Sequence, residues 1–163
     1  MFLRQGIDLL GQISDAMYVK AVAPYAASGV GKHIRHNLDH YEMFLAGLAT
    51  SSINYDGRLR DPQIETDRRH AMQKMLSIIL RLEGLEAKRL DDPISVNMNE
   101  GDKAKDSSSP SQSTIRRELQ FLLSHTVHHY ALIAIILKIQ GFECDKDFGV
   151  APSTLKYQQS LKN

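Results

Sequence analysis

A single cysteine, Cys144, is all the thiol this chain has, and that scarcity closes off two chemistries. No internal disulfide can form, and no thiolate cluster can hold a structural zinc ion. Standing beside a Gly141-Phe142 turn, Cys144 reads as a small loop residue rather than a nucleophile. Charge of one sign is lacking as well. Lys and Arg number 20 against 19 Asp and Glu, so the surface offers no field to attract nucleic acid or anionic lipid. Long apolar runs are also missing: the longest, Ala131 to Leu137, is far too short to span a bilayer. The start, MFLRQGIDLL, lacks a basic region followed by a signal core. The expectation is a cytoplasmic chain with no nucleic-acid partner and no membrane partner.

What is present is enough for one domain over residues 1–163. A chain of that length buries an ordinary core without a metal as a folding aid, so any metal it holds serves chemistry. No internal repeat is visible.

Leu3, Ile7, Leu10, Ile13, Met17 and Ala21 recur at steps of three and four, which predicts a first helix over residues 2–21 closed by Pro24. A second helix is expected from after Ser28-Gly29 to about Ala49. The polar connection INYDGRLRDP follows, and then a third helix over about Ile64 to Leu82, whose Met72, Met75, Leu76 and Ile79 read as core packing. Residues 91–98 alternate weakly and suggest a short strand or extended arm. The segment NEGDKAKDSSSPSQS has almost nothing apolar and reads as a mobile loop. A last long helix runs from about Thr114 to Gln140, with Ser113 as its N-cap and Gly141 as its stop.

Chemistry concentrates on two of these helices. Six of seven histidines form two clusters: His33, His36 and His40 on the second helix, and His125, His128 and His129 on the last. At about 100° per residue, His125 and His129 stand one turn apart on one face, and His128 points to the side. That face is shared with Leu122, Ile133 and Ile136, so both imidazoles should turn inward. On the second helix the same geometry leaves His33, His36 and His40 as open alternatives for a third imidazole. Three neutral nitrogens suit zinc, nickel or iron(II). Glu118 lies two turns before His125 on its face and is a candidate acid or base; its plainer reading is a first-turn acid favoured by the helix dipole. His33 and His40 are candidate outer partners or proton carriers. The charges Tyr55 to Asp61 read as a solvated loop, with a grip on an anionic substrate as the lesser reading.

GKHIRHNLDHYEMFL on the second helix and HTVHHYALIAIIL on the last resemble the DinB-like superfamily, over nearly the whole chain. The tail FGVAPSTLKY is also similar to a signature of one branch of it. The resemblance implies that His36, followed by Asp39, joins His125 and His129 as the metal ligands. Asp39 read without the resemblance is a partner for Arg35.

The expected fold is therefore all-α: a four-helix bundle of the DinB-like type, with a short extended or β excursion before the last long helix. A mobile loop is expected near 99–112 and a C-terminal extension near 142–163. The function the resemblance implies is that of a divalent-metal-dependent enzyme. Its three-His site, holding zinc, nickel or iron, would activate water or a thiol for thiol transfer or hydrolysis, with Glu118 or His33 carrying the proton. The implied partners are a small-molecule substrate, such as a low-molecular-weight thiol, and a second copy in a homodimer. The alternative is a non-catalytic metal-binding stress-response bundle acting through dimerisation or a protein partner, which an exposed apolar face on the first helix would favour.

Overall fold

The apolar period of the N-terminal segment continues through Ile13, yet the helix does not. In the structure, a computed structural model that describes residues 2–23, 29–98 and 110–161, α1 spans Phe2–Gln12 and α2 spans Asp15–Val19. Ser14 between them is extended, and its hydroxyl accepts the Met17 N–H at 3.2 Å. A side chain able to cap a new helix ends the old one, a choice that apolar spacing does not record. Pro24, expected as the terminator, lies outside the described residues.

Helix α3, Val30–Gly47, matches its expected extent closely. The third expected helix is split into α4, Gln63–Thr66, and α5, Arg68–Glu83, because the Asp67 carboxylate accepts the backbone N–H groups of Arg69 and His70 and so starts a new helix. Glycine lets α4 sit directly on α3: a β-carbon at Gly31 would collide with the Glu65 carbonyl. Within α5, Met75, Ile78 and Ile79 are buried, whereas Leu76, assigned to the core from its spacing, is exposed.

The long helix α6, Ile115–Ile139, is capped by Thr114 rather than Ser113, and Gly141 with φ 86° ends it as expected. By length and composition α6 is apolar enough to cross a bilayer, although no single apolar run in it is. One of its faces is taken up by the core, where Leu122, Ile133, Ile136 and Leu137 are buried. Helix α7, Pro152–Ser160, closes the chain and is docked through the turn before it. Phe148 stacks on Tyr130 of α6 at 4.6 Å between ring centres. Gly149, with φ 72°, lies so near that a β-carbon there would come within 2.8 Å of the Ala131 backbone.

The expectation of a four-helix bundle is corrected by these splits and by a sheet. Among the described residues there are seven helices and a three-stranded mixed sheet of order β1-β2-β3. Strand β1, Ser52–Asn54, runs parallel to β2, Pro93–Asn97, which is antiparallel to β3, Ser111–Thr114. Ile53 and Ile94 fasten the sheet to the core. Of the expected mobile loop, 99–109 lie outside the described residues, and Ser111 and Gln112 instead pair with Val96 and Ser95. Polar side chains do not prevent this, since the ladder is made by backbone groups. The sheet matters for function because it brings the loop after β1 up to the start of α6.

Candidate metal centre

Helices α3 and α6 pack face to face and bring their histidines into one band. His36 and His40 come from α3, and His125 and His129 from α6. Their ring centres lie 4.6 Å apart for His36–His40, 5.1 Å for His36–His125, 4.8 Å for His36–His129, 4.3 Å for His40–His125 and 4.5 Å for His125–His129. His33 extends the band by one turn, its Nδ1 being 3.0 Å from Nδ1 of His129. One of those two nitrogens carries the proton and the other accepts it.

The tightest group is His36, His40 and His125, each offering a nitrogen within 4.8 Å of the others. Of the three residues the resemblance implied, His36 and His125 are therefore in the group. His129 is beside it, in contact with His33. His40, which spacing alone left open as an outer partner, is inside the group. The wheel could not separate His36 from His40, because residues four apart share a face.

Two details define what these rings can do. The Nδ1 of His40 is 2.8 Å from the His36 carbonyl, which only accepts, so Nδ1 carries the hydrogen and Nε2 the lone pair. The Nε2 of His125 is buried and has no hydrogen-bond partner. A buried nitrogen without a partner costs about 1–3 kcal/mol, so such an atom in a cluster of lone pairs is what a cation site requires. Burial, and then the neighbouring imidazoles, push His36 down to about 4 and His125 and His129 to about 3; burial lowers His33 and His40 too. The rings are neutral at neutral pH, the form that ligates metals. The donor set fits a divalent ion of the zinc, nickel or iron type.

Two aromatic rings wall the cluster off. Phe121 lies over His125 with its centre 5.6 Å away, and Tyr55 packs against His40 at 5.5 Å and Phe121 at 5.3 Å. Behind Tyr55 is Glu118. Its Oε2 accepts the Tyr55 hydroxyl at 2.9 Å and its Oε1 accepts Ser113 at 2.5 Å. Burial, and then the Glu118 charge, raise the Tyr55 phenol far above its usual range. The structure thus places Glu118 behind the wall, as an anchor for Tyr55. A second buried network lies under the cluster, where Thr126 donates to the Leu122 carbonyl at 2.7 Å and contacts the Tyr41 hydroxyl at 2.8 Å and Asn37 at 3.2 Å. Sequence reading missed it, although Thr and Asn in the middle of apolar helix faces are a visible signal.

The remaining candidates lie elsewhere. Asp39 pairs with Arg35 at 2.6 Å, its plainer reading, and Arg35 also holds Glu65 at 2.6 Å. His70 pairs with Asp61 at 2.9 Å. His128 is exposed, with its ring centre 5.1 Å from that of His129. Cys144 is half-buried and burial raises its thiol, the direction opposite to activation. Arg58, read with its loop as solvated, instead reaches His40, its Nη1 lying 3.2 Å from Nε2.

No protein-family model matches the chain, and no solved structure matches it. Among curated proteins it is similar to FK506-binding protein 5 of Rhizopus delemar, with 33% identity over 105 residues, which is 64% of this chain and 27% of that protein. The chain thus corresponds to about a quarter of that relative's length.

Proposed function

We propose that the chain is a metal-dependent enzyme of the DinB-like type, holding one divalent ion between α3 and α6 and acting on a small thiol or on a hydrolysable substrate. The observation that carries this reading is the buried, partnerless Nε2 of His125 among the nitrogens of His36 and His40. Such an ion supplies Lewis acidity, by which water or a thiol becomes a nucleophile near neutral pH.

The residues around it have separate tasks. His36, His40 and His125 present neutral nitrogens, and the His36 carbonyl fixes the tautomer of His40. Phe121 and Tyr55 exclude water from one side, and Glu118 with Ser113 keeps Tyr55 in place. The contact between Nδ1 of His33 and Nδ1 of His129 lets His33 hold or pass a proton at the edge of the band. The rival reading, a dimerising bundle without catalysis, was to be favoured by an exposed apolar face on α1. There Phe2, Leu3, Leu9 and Leu10 are buried, and that support is absent. The name of the Rhizopus relative concerns FK506 binding, and no feature of the histidine band argues for carrying that property over.

Metal analysis of the purified protein tests the reading. His36→Ala and His125→Ala should lose most of the metal that the wild type retains, and His40→Ala and His129→Ala, measured side by side, decide which of the two completes the set. Equal metal content in wild type and His125→Ala overturns the proposal.

A further inference from the structure

Arg58 stands at the histidine band without an ion pair of its own; the Asp39 carboxylate, whose ionised form it favours from a distance, is bound to Arg35 instead. Arg58 is half-buried, and among the described residues no carboxylate lies within ion-pair distance of it. Asp56, two residues away, is exposed and makes no ion pair with it. The position of the guanidinium is set by the fold. Asn54, at the end of β1, accepts the backbone N–H groups of Asp56 and Gly57 at 3.0 and 3.1 Å, which makes a tight turn hung from the sheet. From that turn Arg58 reaches His40.

The contact with His40 Nε2 is incompatible with metal binding through the same atom. A neutral imidazole has one lone pair, and at 3.2 Å it is directed at a guanidinium that can only donate. An ion taking that lone pair deprives Arg58 of its acceptor and adds a like charge beside it. The guanidinium then needs an anion, and its planar fork suits a carboxylate. Arg60, two residues on, makes no ion pair either but is exposed, whereas Arg58 is half-buried against His40, and one guanidinium matches a single negative charge.

We propose that Arg58 binds the carboxylate of the substrate, so that the thiol this site takes is a small mercapto-acid, with its sulfur toward the histidines and its carboxylate on the guanidinium. The assignment rests on the metal reading and names the substrate class for it. It also makes Arg58 act in two opposite ways: it competes with the ion for His40 and attracts the substrate anion.

The test uses the cobalt-substituted full chain, its visible spectrum, and two probes, mercaptoacetate and its uncharged methyl ester. The intrinsic differences between the probes, in chelation, thiol acidity and size, are shared by all variants, so the ratio of the two affinities is compared between proteins. Arg58→Gln should lower the preference for mercaptoacetate about tenfold, which is the size expected of a lost charge-assisted hydrogen bond. The same variant should bind cobalt more tightly. Arg58→Lys, which keeps the charge without the fork, should fall between and guards against a folding defect. If cobalt gives no spectrum in the wild type, the metal reading fails and this assignment with it. If the spectrum forms and answers to thiols with the same ratio in wild type and Arg58→Gln, the assignment alone is overturned.

Discussion

Two polar clusters, buried or half-buried, lie on either side of the Tyr55–Phe121 wall, and they are completed to different degrees. Behind the wall, Glu118 has a hydroxyl on each carboxylate oxygen. In front of it, five imidazoles crowd together, one buried nitrogen has no partner and another is matched to an unpaired guanidinium. Buried polar groups are normally satisfied, so the closed cluster needs nothing further and behaves as structure. The open one retains bonding capacity that folding alone does not use. The difference separates the candidate site from the scaffold better than residue type does, since a buried Glu would ordinarily draw more attention than a His.

The comparison is broken most severely by acid. In metal-free protein the folded imidazoles titrate well below 6.5, and the unfolded ones near it. Between about 6.5 and 3 the unfolded chain therefore binds more protons, and stability rises with pH across that window. Above it the contribution is fully present; as pH falls through it, the contribution is lost. Urea midpoints taken with chelator should drop from pH 7.5 to pH 5, and less so in His125→Gln. A midpoint that holds steady over that range contradicts the open cluster.

Next in size is the closed cluster. Glu118→Ala strands the hydroxyls of Tyr55 and Ser113 and leaves a cavity, at a cost of about 2–4 kcal/mol in urea unfolding. Metal content should be little changed in the protein that remains folded. Selective loss of metal at unchanged stability would instead place Glu118 among the ligands.

The smallest effect is expected outside both clusters. His70→Ala removes a part-exposed pair with Asp61 and should cost no more than about 1 kcal/mol, with full metal retention. Depletion of metal in that variant would mean that the band extends beyond α3 and α6.

The helices that matter were legible in the sequence because their signals are local. The periods of α3 and α6 and the spacing of their histidines pointed to two histidine-bearing faces turned inward, without reference to the rest of the chain. The breaks at Ser14 and Asp67 were not legible, because a cap competes with an apolar pattern that continues straight through it. Strand β3 had no side-chain signature, being polar and paired through its backbone. The choice among His33, His36 and His40 depends on how α6 is rotated against α3. Arg58 enters the site only through a turn whose position is fixed by a strand about forty residues further on.

That last dependence affects the order in which the molecule is made. Strand β1 is parallel to β2, with Ser52 opposite Ser95, so the pair closes only after everything between them has emerged. A growing chain that ends before residue 115 carries three histidines of the band, the Arg58 loop and no α6. The two halves of the band therefore meet late in synthesis. Throughout elongation the early histidines lack the His125 nitrogen that completes the tightest group, which stays open until α6 docks.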